Sequence, residues 1–280
     1  MTFSNLSQMS FVISDKQKEF LKGVDDICRS NRHYEEKCYL EEKLNEKITP
    51  EFGKLGCWGC PISRRYGSLG YDILTYVLAI DRIGEGGNSL RTFFSAHTSI
   101  GQMVLQGWAN EAQKNEYLPK TCDGRSIRAF ALTKPLAGSG PSSMVTKFED
   151  RGTHFLLNGK KHWIGNGTFA KVMTTYAKES GKSSYLHSTQ EMRNKLGLLT
   201  FTNAEINFDN CVVPKKNLLG LKGQGLNIAY SALIDGGLSV ARWCSRCSGG
   251  LPRGFRFIFK GTRAAWFASC EEAVDTGSFS

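Results

Sequence analysis

Phe130-Ala-Leu-Thr-Lys-Pro-Leu-Ala-Gly-Ser-Gly140 and Asn158-Gly-Lys-Lys-His-Trp-Ile-Gly-Asn-Gly167 are the two stretches on which the fold turns. In the first, a short run of β-type residues from Arg128 to Thr133 breaks at Lys134-Pro135. Gly138-Ser139 then adds a backbone position open to close approach and a hydroxyl donor. In the second, Asn158-Gly159 and Asn166-Gly167 are turn signals on either side of Trp163, a flat apolar wall. Taken singly, Thr133-Lys-Pro reads as a plain β turn and Trp163 as a core anchor.

Working outward, further runs of β composition occur at Thr153–Leu157, Lys171–Ala177, Leu196–Phe201 and Ala204–Phe208. Asn158-Gly159, Asn166-Gly167, Asn203 and Asp209-Asn210 read as the turns between them. Upstream the spacing changes to helical. Phe20, Leu21, Val24 and Ile27 follow the cap candidates Ser14-Asp15, predicting a helix from Phe11 to Ser30. The charged stretch Tyr34 to Lys47 continues in helical composition, with many Glu/Lys pairs. Asp72–Gly84 and Asn88–Trp108 are apolar nearly all round and read as buried helices. Glu111–Leu118 reads as a short helix ended by Pro119. Downstream, Leu226–Val240 is helical again. The order predicts an α+β chain: an all-helical domain over residues 1–128, a β barrel or sandwich over 129–225, and the remnant of a C-terminal helical bundle over 226–280.

Composition narrows the function classes. With 40% hydrophobic and 22% charged residues the chain is an ordinary globular one. The net charge of +10 is spread without a basic run, which argues against nucleic acid and suits a ligand with several phosphates. No stretch is long and apolar enough to span a membrane, and Met1–Ser10 lacks the features of a signal peptide. Nine cysteines, an odd number at irregular spacing, fit free thiols in a reducing, cytoplasm-like compartment, or the mitochondrial matrix in a eukaryote. The pairs Cys57/Cys60 and Cys244/Cys247 are the elements of a four-cysteine zinc site. Their separation lies far outside ribbon spacing, so no metal is expected.

Together the two opening stretches resemble the flavin-contacting signatures of the acyl-CoA dehydrogenase family. These usually run aromatic-x-Val/Leu-Thr-Glu-Pro-x-Ala-Gly-Ser-Asp and Asn-Gly-x-Lys-x-Trp-Ile-Thr/Ser-Asn. Leu55–Gly70 is similar to the family's early loop, and Glu111–Lys120 to its Glu-Glu-Gln-Lys-x-x-Tyr-Leu-Pro segment. The resemblance covers residues from about 11 to 240. It implies an FAD enzyme that oxidises an acyl-CoA thioester to the 2,3-enoyl product and passes electrons to an electron-transfer flavoprotein or similar acceptor, in a homo-oligomer. It places Phe130, Leu132, Thr133, Gly138, Ser139, Trp163, Ile164 and Gly165 at the cofactor. It places Ser139, Asp235 and Arg91 at the acyl-CoA, with Arg91 at the Ser-x-Arg position that holds a substrate carboxylate in the glutaryl-CoA branch. A plain surface or helix-pairing role for Arg91 stands beside that reading.

Several residues depart from the family pattern. Lys134 stands where Glu is usual, Gly140 where Asp is usual, and Gly165 where a Thr or Ser hydroxyl usually reaches flavin N5. Leu238 replaces a usual Arg. The base glutamate of most branches would lie beyond residue 280, and the alternative position on the helix after the β domain is Gly237. No catalytic base is therefore expected in this chain, and a non-catalytic, flavin-binding relic is the alternative function. From about Ala241 the resemblance stops. Permitted codons from Leu251, read one nucleotide later, give a pattern close to the family's next helix, so the tail is expected to be out of frame and the chain truncated.

Overall fold

A computed structural model of the chain describes residues 13–179, 188–193 and 195–250, the side chains of Ser188 and of 243–250 excepted. The chain divides into two compact units between Ser239 and Val240, and the account below concerns the first. Helix α1 (Asp15–Leu40) starts at a capping box: the Ser14 hydroxyl accepts from Gln17 N–H, and the Gln17 side chain accepts from Ser14 N–H. Such a cap stabilises a helix by about 1 kcal/mol. The helical composition expected to continue through Tyr34 to Lys47 does so, in one unbroken helix, only as far as Leu40. Arg32–Lys37 keeps helical composition, and Cys38 joins the buried face. The true break lies at Glu41-Glu42, with Glu42 in the left-handed region at φ 52°, before α2 (Ile48–Lys54).

Helix α3 (Ile73–Gly86) is capped by Asp72. Helix α4 (Asn88–His97) passes through a π-helical turn (Thr98–Met103) into α5 (Val104–Trp108). Pro119 does not end α6 (Glu111–Cys122). Only one backbone bond is forgone there, while Leu118 and Cys122 pack on Ile62 and Tyr66. The helical core centres on Trp58, fully buried, stacked on Phe94 at 4.6 Å and anchored by its indole N–H to Thr49 O at 2.9 Å.

Among the described residues the β region forms two sheets. Strands β1 (Arg128–Ala131) and β4 (Val172–Thr175) pair in parallel. The larger sheet has the order β5-β2-β3-β7-β6, built from β2 (Lys147–Asp150), β3 (His154–Gly165), β5 (Lys178–Glu179), β6 (Ser188–Met192) and β7 (Asn203–Pro214). Two expected turns are absent. β3 runs straight through Asn158-Gly159, and β7 through Asp209-Asn210. The two lie opposite each other as a paired irregularity: Asn158 Oδ1 accepts from Asn210 N–H at 2.7 Å and Asn158 Nδ2 donates to Asn210 Oδ1 at 2.9 Å. Leu196–Phe201 is likewise no strand. It is a turn with Leu198 at φ 53° and Phe201 N–H donating to Leu198 O. Strands β2 and β6 carry no alternation that composition could reveal.

Helix α7 (Gly225–Gly250) follows. It runs past Ala241 to Gly250; residues 251–280, and the out-of-frame expectation with them, lie outside the described residues. Ile228, Ala229 and Ala232 pack on Phe130, Leu132 and Val104, while Leu233, Ile234 and Leu238 on the same helix are exposed. Among the described residues no helix is long and apolar enough to cross a membrane.

Candidate functional site

The two signature stretches are zipped to each other. Thr133 O accepts from His162 N–H at 3.0 Å, and Leu132 O accepts from Lys161 Nζ at 3.1 Å. The side chains of Phe130 and Leu132 point into the core, Phe130 packing on Tyr176 with ring centroids 5.0 Å apart. What this strand end can offer a ligand is therefore backbone and the half-buried Thr133.

Beyond it, Lys134 turns inward and is only 2% exposed. Its ammonium donates to Ala137 O at 3.1 Å and Gly140 O at 2.8 Å. Inside this loop an acid would face carbonyls, so a cation at 134 suits the local donors and acceptors. Gly138 and Ser139 stand exposed at the loop's crest, and a Cβ on Gly138 would meet nothing within 4 Å.

Trp163 sits at an irregularity of the β3–β7 ladder, between the pairs Lys161/Ile206 and Ile164/Ala204. Its backbone has φ 56°, an outlier for a bulky side chain, and the residue is 52% exposed, its ring centroid 5.4 Å from that of His162. Holding an aromatic residue in that region costs of order 1–3 kcal/mol, and such strain gathers at ligand sites. Its neighbour Ile164 is buried under the large sheet. At Gly165 a Cβ would lie 2.4 Å from Phe201 Cζ.

Three residues that the motif reading passed over hold this arrangement together. Asn166, fully buried at φ 61°, donates from Nδ2 to Phe93 O at 3.0 Å and Arg128 O at 3.2 Å, tying β3 to α4 and β1. Lys161 is fully buried against Leu132 O and, at 2.9 Å, Met144 Sδ. Burial and the nearby Lys134 charge hold its ammonium down at about 7. Arg128, also buried, donates to Thr174 Oγ1 at 2.8 Å, and burial lowers its guanidinium to about 10. A lysine or arginine in a strand reads as outward-facing by default, and only its contacts reveal these burials.

Arg91 is buried on α4, where its Nε donates to Asn88 Oδ1 at 3.1 Å and an η-nitrogen to Thr92 Oγ1 at 2.8 Å. Ser95 and Ser99 follow at helical spacing. Ser95 Oγ lies 2.7 Å from Ser239 Oγ on α7, and the buried Tyr76 phenol belongs to the same polar row, held well above its ordinary range by burial. Asp235 is half-buried, with its carboxyl pushed up by desolvation. Gly237 is exposed with open space around it, and Leu238 is exposed beside it. A cavity of about 620 Å³ opens elsewhere, between α1 and the α3–α4 junction, lined by Arg32, Glu35, Gly87, Asn88 and Leu198 among others. Neither signature stretch contributes to it.

Cys57 and Cys60 are fully buried free thiols, and burial raises both far out of the reactive range. The described residues bring together no group of three or more side chains of metal-ligating type. Cys244 and Cys247 lie among the side chains that are not described.

Residues 14–125 match the acyl-CoA dehydrogenase N-terminal domain and residues 129–211 the middle domain of the same family. The chain belongs to the acyl-CoA dehydrogenase family. It is 32% identical over 245 residues to an acyl-CoA dehydrogenase of Bacillus subtilis (strain 168), covering 82% of this chain and 64% of that one. It is also 32% identical over 245 residues to the mitochondrial isovaleryl-CoA dehydrogenase of Pongo abelii, covering 79% and 56%. Butyryl-CoA dehydrogenase from Megasphaera elsdenii superposes with a TM-score of 0.79 at 26% identity, over 84% of this chain and 66% of that one. A glutaryl-CoA dehydrogenase from Mycobacterium smegmatis, solved in complex with FADH2, does so at 0.76 and 27%, over 82% and 62%. The chain thus spans less than two thirds of the curated relatives named here.

Proposed function

We propose that this chain binds FAD on the face formed by Thr133, the 138–139 loop and Trp163, and that the protein it represents oxidises an acyl-CoA to its 2,3-enoyl thioester. The observation that carries the reading is the exposed, left-handed Trp163 set beside a strand end zipped to it by Lys161 and His162. A ring face held at the cost of strain, next to accessible backbone and a hydroxyl, suits a flat, polar-edged cofactor with phosphates.

When bound, FAD supplies the hydride acceptor. The chain's own groups would hold it: backbone and hydroxyl at Leu132–Thr133 along the pyrimidine edge, Trp163 against the ring, Ile164 and Gly165 through backbone, and Gly138-Ser139 toward the pyrophosphate. Asp235 and Ser139 would contact the coenzyme A portion. Arg91 would face the far end of the acyl chain, where its guanidinium suits a carboxylate, and the row Ser95, Ser99 and Tyr76 gives that end a polar lining. We assign the helical, β and C-terminal parts to residues 1–128, 129–225 and 226–280. Acyl-CoA, an electron-transfer flavoprotein as acceptor and further copies of the chain are the partners this reading brings. The six described cysteines, all free, suit a reducing compartment such as the cytoplasm or mitochondrial matrix.

One observation favours a second reading. Gly237 carries no base where one branch of the family needs it, which points to a flavin-binding chain without turnover. The FAD-loaded chain mixed anaerobically with butyryl-, isovaleryl- and glutaryl-CoA separates the two. Bleaching of the visible flavin band supports the dehydrogenase, and a stable yellow protein with every thioester supports the second reading. Preferential bleaching by glutaryl-CoA, abolished in Arg91→Met, would support the carboxylate assignment.

A further inference from the structure

The backbone of Gly165 does not have a positive φ. Flexibility is not what requires glycine there; space is. A Cβ would sit 2.4 Å from Phe201 Cζ and 3.1 Å from Cε1, well inside van der Waals contact. The ring cannot easily give way. Phe201 is 5% exposed in a cluster with Leu90, Phe93 and, at its margin, Phe169 and Leu198. Its segment is tied down on both sides: Phe201 N–H donates to Leu198 O at 3.0 Å and Asn166 N–H to Thr202 O at 2.9 Å. Thr200 Oγ1 donates to Glu35 Oε1 at 3.2 Å, linking the turn to α1.

We propose that Phe201 occupies the space in which the family signature places a Thr or Ser side chain, and that it is a positioning residue giving the flavin site an apolar, dry flank at Gly165. The inference rests on the FAD reading above. It specifies what replaces the missing hydroxyl: a hydrocarbon ring supplied from a turn remote in sequence, which neither donates nor accepts a hydrogen bond. The environment of the bound ring at that edge is then set by Phe201 and backbone alone.

The test is a cycle of wild type, Gly165→Thr, Phe201→Ala and the double variant. In the FAD-free proteins, Gly165→Thr alone should lower the melting temperature by several degrees, whereas the same change on the Phe201→Ala background should cost little or restore part of the loss. Simply additive losses would overturn the steric premise. With FAD bound, the double variant restores a hydroxyl at the flank, so its visible absorption envelope and reduction potential should shift from those of Phe201→Ala. An unchanged spectrum and potential, with FAD bound to both, would reduce Phe201 to core packing and sink the inference alone. Failure of wild type to bind FAD would sink the reading beneath it, and the melting cycle would still report on the steric coupling.

Discussion

Replacing Lys161 by Met should change how the stability of the FAD-free protein depends on pH. The ammonium is fully buried, bonded to Leu132 O and Met144 Sδ, and held at about 7 by desolvation and the Lys134 charge, against an ordinary value of 10.5. Between those values the unfolded chain keeps a proton that the folded chain has released. Raising the pH through this window therefore favours the folded state, and lowering it toward 7 charges a buried group and costs stability. For one such group the wild type should gain roughly 2 kcal/mol between pH 7 and pH 9 that Lys161→Met does not gain. Cys28 and Cys122, whose thiols burial pushes up to about 12, oppose this trend near pH 9, but both proteins contain them and the difference cancels. Urea unfolding at pH 7, 8 and 9, comparing extrapolated stabilities, reads the effect directly. Parallel pH profiles for the two proteins would refute the reasoning, because they would mean that Lys161 titrates alike in both states.

Trp163→Gly removes the left-handed strain and should leave FAD-free stability equal or higher, while weakening FAD binding about tenfold for every ~1.4 kcal/mol that stacking on the indole supplies; unchanged affinity by fluorescence titration would count against that stacking. Asn166→Ala strips a donor from two buried carbonyls and should cost about 2 kcal/mol or more in urea unfolding, a loss near zero contradicting its tying role. Gly237→Glu has open space and a helix-propensity gain of a few tenths of a kcal/mol, so it should fold at least as well as wild type. If position 237 faces the thioester, it should also bleach bound flavin with acyl-CoA faster than wild type does, and no gain over wild type would reject that placement of the base.

Much of this architecture was legible because long helices and capped starts leave periodic traces. Ser14-Asp15 marked the start of α1, and the apolar runs at 72–84 and 88–108 gave buried helices, the first running on to Gly86. The errors have specific physics. Asn-Gly is a turn signal only while its amide is free to close a turn, and at Asn158 that amide is spent on Asn210 across the ladder. Pro119 breaks a helix only where packing does not outweigh one forgone bond. The two signature stretches were visible as motifs, yet the groups that lock them together were not. Lys161, Asn166 and Arg128 look polar and exposed in sequence, and Phe201 meets Gly165 across a separation that no local pattern encodes.

The central claim is that these two stretches form a flavin dock. The direct measurement is to incubate the purified chain with FAD, remove free flavin by gel filtration and record the visible spectrum of the protein peak. The account predicts a yellow protein retaining stoichiometric FAD, with the flavin absent or much reduced in Trp163→Gly. A well-folded wild-type chain that elutes colourless, with all FAD in the small-molecule fraction, would contradict it.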